Sequence, residues 1–198
     1  QLKKNRTYII AEIGVNHNGN LSNAKKMILA SKKAGANAVK FQSYISEDIV
    51  AKDALAAEYQ NRNLKKSINK QYDILKKYEL TFAQQKELFT YAKKNKIDFL
   101  SSAFDLKSLV FLKKLKLNYY KIPSGEITNF QLLNEYSKMK EKIILSTGMS
   151  NLKQIKNAIK ILTSKKNNLK NLSLLHCTTS YPTSLHEANL NSLNHLRT

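Results

Sequence analysis

The sequence is poor in the residues that mark several classes of protein. Its 198 residues include a single cysteine, Cys177. No disulfide can therefore form within the chain, and a reducing cytoplasm is the expected compartment. No apolar run approaches the ~20 residues of a membrane-spanning helix, and no secretory signal precedes Tyr8. These absences predict a soluble, cytoplasmic domain.

Arginine is scarce as well. The chain has 34 basic and 14 acidic residues, for a formal charge of +20, yet its only arginines are Arg6, Arg62 and Arg197. A protein that recognises nucleic acid is expected to use arginine for base edges and phosphates. Most lysines instead fall on the faces of predicted helices, which favours a solvated surface over nucleic-acid binding. The positive field would still attract a small anion.

The nucleotide-binding patterns G-x-G-x-x-G and G-x-x-x-x-G-K-[ST] are absent. What the sequence does contain is a regular alternation of short apolar strands with amphipathic helices. Strands are predicted at 8–13, 38–42, 97–102, 119–122, 142–146 and 172–177. Helices are predicted at 21–34, 72–78, 81–94, 105–115, 129–139 and 151–164, and another begins near the end of the chain.

This alternation predicts an α/β fold with parallel strands, and six similar units favour a TIM (β/α)8 barrel over a Rossmann sheet. A complete barrel usually takes ~250 residues. We therefore expect residues 1–198 to form the N-terminal part of a barrel domain whose last strands lie outside this sequence. A polar stretch from 43 to about 70 interrupts the alternation, and connections of that length are usually functional or flexible.

Charged residues stand near the carboxyl ends of three predicted strands, where barrels carry their chemistry. Glu12, Lys40 and Lys121 each belong to a strand whose other residues are mostly apolar. A buried charge is costly unless it is paired, so three of them together indicate a site. They predict a cationic pocket with one acid, suited to a small molecule that carries phosphate or carboxylate.

Histidine and cysteine give weaker signals. His17, in an Asn-His-Asn-Gly turn, is equally compatible with a structural turn and with a substrate contact. His176 and Cys177 have no further cysteine or suitably spaced histidine around them, so we assign no metal ligand in this chain. His186 and His195 are predicted to lie on the surface of the last helix.

Five segments together resemble the bacterial sialic acid synthases, which include the neuraminate and legionaminate synthases. They are AEIGVNHNG at 11–19, VKFQ at 39–42, KIPSGEI at 121–127, LSTGM at 145–149 and HCT at 176–178. The match runs in order over nearly all of the chain.

This resemblance implies a barrel followed by a small antifreeze-like domain, in a homodimer. It implies condensation of phosphoenolpyruvate with an open-chain N-acetylated hexosamine, either N-acetylmannosamine or a diacetamido-trideoxyhexose. The product is a nine-carbon 2-keto acid for cell-surface polysaccharide biosynthesis. The cofactor implied is Mn²⁺ or Mg²⁺, with its histidine ligands beyond residue 198.

The resemblance also implies roles for individual residues. Glu12, Lys40 and Lys121 would be catalytic, with Glu12 contacting the sugar or moving a proton. Phosphoenolpyruvate would be held by Lys40, Ser102, Lys121, Ser124 and Ser146. The other substrate-binding candidates are Gln42, Asn63, Glu126, Thr179 and Tyr181. Thr179 stands where many neuraminate synthases carry asparagine.

Two alternatives stay open at this point. The chain could belong to another barrel enzyme acting on a phosphorylated small molecule, such as an aldolase or a different phosphoenolpyruvate-using synthase. An imine-forming aldolase would need a lysine with a lowered pKa in an apolar pocket. The second alternative is a basic nucleic-acid-binding domain, which the scarcity of arginine disfavours.

Overall fold

A computed structural model of the chain describes residues 7–55 and 70–196. Six strands form one parallel sheet, in which each strand pairs with the next along the chain. The sheet curls into a half-barrel with helices between its strands, which confirms the predicted barrel class. The strands are β1 (Ile10–Gly14), β2 (Ala38–Ser43), β3 (Asp98–Ala103), β4 (Tyr119–Ile122), β5 (Lys142–Ser146) and β6 (Leu172–Leu175).

The helices begin mostly where the sequence supplies a polar cap. The side chains of Asn20, Thr81, Asp105, Asn129 and Asn151 each accept a hydrogen bond from a backbone N–H in the first turn. The helices are α1 (Leu21–Lys33), α2 (Ser46–Ile49), α3 (Gln71–Tyr78), α4 (Phe82–Lys94), α5 (Leu106–Leu115), α6 (Phe130–Ser137), α7 (Leu152–Leu162) and α8 (Ser192–Leu196). Short 3₁₀ turns occupy Ser124–Glu126 and Leu169–Asn171.

Alternation along the strands separates two cores. One set of strand side chains, such as Phe41 and Ile122, packs against the helices in the main core. The opposite set faces the inside of the curl, where Ala38, Leu100 and Ile144 form a smaller apolar layer. On each of these three strands, the residue two positions further along is polar. The inner face is therefore apolar near the strands' amino ends and polar near their carboxyl ends.

The structure corrects several predicted boundaries. β1 begins at Ile10 rather than Tyr8, and a register shift between Glu12 and Gly14 carries it to the glycine. β6 ends at Leu175, before the predicted end at 177. His186 lies in a turn rather than on the last helix. None of the described helices is long and apolar enough to cross a membrane.

Candidate active site

Strand pairing brings the predicted site residues to one edge of the sheet. Glu12 is paired in register with Lys40, Gln42 with Ser102, and Ser102 with Lys121. Because the strands are parallel, their carboxyl ends meet at the same edge. Residues separated by as many as 60 positions in the sequence thus become neighbours at this edge.

Glu12 and Lys40 form an ion pair on the inner face. The Lys40 Nζ lies 2.5 Å from a Glu12 carboxylate oxygen, and the Lys40 side chain is 12% exposed while that of Glu12 is 52% exposed. The same ammonium lies 3.5 Å from the Ser102 hydroxyl, at the limit of a hydrogen bond. Lys40 is therefore held deep in the site, with the carboxylate reaching it from the solvent side.

Lys121 is the most deeply buried charge of the site, at 5% exposure. Its Nζ donates to the Ser146 hydroxyl at 2.6 Å and to the Ile122 carbonyl at 3.0 Å. The pKa of Lys121 is lowered to about 8, chiefly by burial and also by repulsion from Lys40, against the opposing effects of Cys177 and Glu12. The ammonium is thus an incompletely compensated cation in the interior.

Cys177 joins this cluster, although sequence reasoning assigned it no role. Its Sγ lies 3.2 Å from the Ser146 hydroxyl oxygen. Cys177 comes two residues after the end of β6, in step with the inward-facing positions of that strand. Strand alternation is the signal that could have placed it, because every second residue of a strand faces the same side of the sheet.

Gly148, just after β5, is a contact point for residues that follow β4 and β6. Its backbone N–H donates to the Ser124 hydroxyl at 3.0 Å. A Cβ at this position would lie 2.9 Å from the Ser124 oxygen and 2.9 Å from the Thr179 methyl group. Glycine is therefore required for Ser124 and Thr179 to approach so closely. Gly148 lies in the LSTGM segment at 145–149, but no pattern in the sequence indicates a function for it.

Gln42 lies beside Glu12 at the end of β1. A Cβ on Gly14 would lie 3.4 Å from the Glu12 Oε1 atom and 3.8 Å from the Gln42 Nε2 atom. Gly14 itself has a φ of 54°, a left-handed conformation that favours glycine. Both side chains therefore lie near Gly14, where the positive φ rather than a lack of space favours glycine.

Of three other predicted residues, two lie in segments that follow strands of the sheet and the third is not described. Glu126 belongs to the 3₁₀ turn after β4, where its carboxylate accepts from the Asn129 side chain at 2.7 Å and burial raises its pKa. Tyr181 lies in the loop after β6 and is 67% exposed. Asn63 lies outside the described residues.

His17 is a buried part of the loop after β1. It is 1% exposed, its Nδ1 accepts from the Gly19 N–H at 3.0 Å, and its ring centroid lies 6.0 Å from that of Phe41. Burial lowers its pKa, so the neutral imidazole is favoured. Since Phe41 faces the helices, these contacts favour the structural-turn interpretation over a substrate contact.

No group of three histidine, cysteine, aspartate or glutamate side chains in residues 7–55 and 70–196 could hold a metal ion. His176 contacts the Ala188 carbonyl oxygen through Nε2 at 2.8 Å. The described site therefore offers ammonium groups, hydroxyls and one solvent-facing carboxylate. This set can bind a small polyanion in the interior and exchange a proton at the mouth.

Comparison with curated proteins finds close relatives among enzymes of one kind. The chain is 45% identical over 194 residues to the N,N'-diacetyllegionaminic acid synthase of Campylobacter jejuni, covering 97% of this chain and 57% of that protein. It is 42% identical over 188 residues to the synthase of the same name from Legionella pneumophila, covering 94% and 52%. The chain thus spans about half the length of the curated relatives it matches.

A solved structure has the same fold. It is the N-acetylneuraminic acid (sialic acid) synthetase of Leptospira borgpetersenii, determined in complex with citrate. The TM-score is 0.82 at 33% identity, and the match covers 98% of this chain and 61% of that one. The model of the NeuB family matches residues 27–198. This match covers most of the chain, and the chain therefore belongs to the NeuB family.

Proposed function

We propose that this chain forms the phosphoenolpyruvate-binding part of a sialic acid synthase. The observation that carries the proposal is the pair of inner-face cations, Lys40 and Lys121. Lys121 is buried and its pKa is lowered by desolvation and by Lys40. Burying the ammonium of Lys121 beside a second cation is costly. An anion bound between the two lysines would offset both the desolvation of Lys121 and its repulsion from Lys40. The names of the relatives support the same function.

The donors of the site suit the two anionic groups of phosphoenolpyruvate. Lys121 has three N–H donors, of which Ser146 and the Ile122 carbonyl take two. The third is available to a ligand, together with the ammonium of Lys40 and the hydroxyls of Ser102 and Ser124. Charge-assisted hydrogen bonds of this kind are the strong ones, so they would dominate binding of the phosphate and the carboxylate.

The proposed reaction joins phosphoenolpyruvate to the aldehyde of an open-chain N-acetylated hexosamine. The enol carbon C3 attacks the aldehyde carbon, and the aldehyde oxygen takes up a proton. Water then adds at C2 and loses one proton. As the bond from C2 to the phosphate oxygen breaks, the new C2 hydroxyl gives its proton to the departing phosphate, which leaves hydrogen phosphate and the nine-carbon 2-keto acid. Glu12 is the residue we assign to proton transfer, because its half-exposed carboxylate lies above the buried cations.

The identity to two legionaminic acid synthases supports a diacetamido-trideoxyhexose as the sugar in preference to N-acetylmannosamine. We propose that Gln42 contacts this sugar, with Thr179, Tyr181, Asn63 and Glu126 as further contacts. Mn²⁺ or Mg²⁺ as cofactor, with ligands beyond residue 198, a homodimeric full-length protein and a cytoplasmic location complete the proposal. The described residues do not form a metal site, so we assign no catalytic step to the ion.

The test is an assay of the full-length protein with phosphoenolpyruvate and each sugar in turn, in the presence of Mn²⁺. We expect phosphate release and a nonulosonate product, faster with the diacetamido sugar. Lys40→Ala is expected to raise the KM for phosphoenolpyruvate. A folded protein that binds phosphoenolpyruvate but yields no nonulosonate with either sugar would refute the synthase assignment.

A second candidate function is supported by the lowered pKa of Lys121. A buried lysine beside another cation is the arrangement that imine-forming aldolases use. Borohydride reduction in the presence of a keto substrate such as pyruvate separates the two functions. An aldolase would become covalently labelled at Lys121, whereas the synthase would not. The hydrogen bonds from Lys121 to Ser146 and Ile122 favour the synthase, because they employ the nitrogen as a fixed donor.

A further inference from the structure

We propose that Cys177 is a positioning residue that turns the Ser146 hydroxyl toward the bound anion. The proposal rests on the proposed function only in its choice of phosphoenolpyruvate as the principal ligand. It starts from one junction in the inner face, the Ser146 oxygen, which Lys121 approaches to 2.6 Å and the Cys177 sulfur to 3.2 Å.

The hydrogen bonds at this junction are constrained by the number of donors and acceptors. A serine hydroxyl has one hydrogen and two acceptor positions, whereas an ammonium can only donate. Ser146 must therefore accept from protonated Lys121. Its remaining acceptor position and its single hydrogen are left for Cys177 and for a ligand.

Cys177 can satisfy the junction in two ways, because its sulfur also lies 3.5 Å from the Leu175 carbonyl oxygen. In one arrangement the thiol donates to Leu175 and accepts the Ser146 hydrogen. In the other the thiol donates to Ser146, and the hydroxyl hydrogen points elsewhere. An anionic oxygen is a far stronger acceptor than a thiol sulfur. An anion in the site therefore selects the second arrangement.

The consequence is a pair of donors directed at one ligand. Lys121 keeps its bond to Ser146 and offers its third N–H, and Ser146 offers its hydroxyl hydrogen while Cys177 occupies its second acceptor position. Two neighbouring oxygens of a phosphate or a carboxylate match such a pair. Cys177 thus acts on the ligand only through Ser146, without touching it.

The test is a double-mutant cycle on the full-length protein, with the Kd of phosphoenolpyruvate measured by calorimetry at pH 7. Cys177→Ala is expected to weaken binding about threefold to tenfold, the effect of one modest hydrogen bond. Cys177→Ser keeps a donor and is expected to stay within about twofold of wild type. When Ser146 is already alanine, Cys177→Ala should have no further effect, because the coupling passes through Ser146.

Three results would overturn the proposal. The first is unchanged affinity in Cys177→Ala, and the second is full additivity of Cys177→Ala with Ser146→Ala. The third is an equal loss in Cys177→Ser and Cys177→Ala, which would indicate packing rather than hydrogen bonding. The same cycle is run with inorganic phosphate as a second anion. A protein that binds phosphate but not phosphoenolpyruvate contradicts the proposed function, and the cycle with phosphate then still tests the role of Cys177. A protein that binds neither anion contradicts the proposed function and the role of Cys177 alike.

Discussion

Replacing Lys121 by methionine should weaken ligand binding and leave the fold at least as stable. The side chain is 5% exposed, and its pKa falls from the ordinary 10.5 to about 8 on burial. This difference corresponds to about 3 kcal/mol of cost for holding the ammonium in the folded protein. Replacing the ammonium by a methionine side chain removes this cost. It also removes the hydrogen bonds to Ser146 and Ile122, whose loss costs about 1 kcal/mol each. We therefore expect Lys121→Met to raise the free energy of unfolding by about 1 kcal/mol at pH 7.

The sign of the pH dependence follows from the lowered pKa. At pH 7 the lysine is protonated in both the folded and the unfolded protein, so the full cost is present there. The cost disappears as the pH rises from about 8 toward 10.5, because the folded protein releases its proton first. Wild-type stability should thus rise across this range relative to Lys121→Met.

Affinity changes in the opposite direction. Losing one charge-assisted contact typically costs about 2–3 kcal/mol, which raises the Kd of phosphoenolpyruvate roughly 30- to 150-fold at pH 7. Wild-type affinity should fall about tenfold per pH unit above pH 8 as Lys121 loses its proton, whereas the variant should respond little. Calorimetry from pH 7 to pH 9.5 gives the affinities, and urea denaturation gives the stabilities.

Lys142→Met is the matched control, because Lys142 is exposed at the amino end of the strand that ends at Ser146. Its Kd for phosphoenolpyruvate should stay within about twofold of wild type, apart from the loss of one surface charge. Unchanged affinity in Lys121→Met, or the same decline above pH 8 in the variant, would refute the role assigned to Lys121. A strongly destabilised variant would refute the calculation of the burial cost.

Three further predictions test other parts of the site. Glu12→Gln should bind phosphoenolpyruvate about fivefold more tightly, because the carboxylate that competes for Lys40 is gone. Its turnover should nevertheless be much slower, because the proton-transfer group is lost. Weaker binding at an unchanged maximal rate would make Glu12 a positioning residue. Gly148→Ala should raise the Kd of phosphoenolpyruvate about tenfold by displacing Ser124. Gly125→Ala is the control and should leave this Kd unchanged, because no atom lies within 4 Å of the added Cβ. Equal effects of the two substitutions would contradict the role assigned to Gly148. Because the folded pKa of His17 is lowered, the unfolded chain takes up the proton first, and stability should fall as the pH drops below about 6.5. His17→Asn should reduce that fall in urea denaturation, and an identical slope would exclude His17 as its cause.

The sheet was predictable because its local signals are strong. Strands 119–122 and 142–146 coincide with the observed β4 and β5, since each is a short apolar run bounded by polar residues. The sixth strand ends earlier than predicted, and His186 is not helical, because apolar content does not show where hydrogen bonding between strands stops. The register shift between Glu12 and Gly14 was not predictable for the same reason. It depends on the pairing of Gly14 with Phe41 in β2 and not on β1 alone.

The candidate site was predictable as a set of residue types but not as an arrangement. Placing Glu12, Lys40 and Lys121 at strand ends needed only the alternation and the rule that barrels act at those ends. The importance of Gly148 could not be inferred, because the atoms that exclude a side chain there belong to Ser124 and Thr179 on other loops.

The sequence by itself determined the alternating parallel architecture and the cationic character of one edge of the sheet. Both follow from patterns a few residues long, which local propensity and burial control. Only the tertiary structure decided that Glu12 neutralises Lys40, that Lys121 is buried with a lowered pKa, and that Cys177 meets Ser146. These properties depend on distances of a few ångströms between strands that are far apart in sequence. Such distances are set by the curl of the sheet and its register, which no single segment encodes.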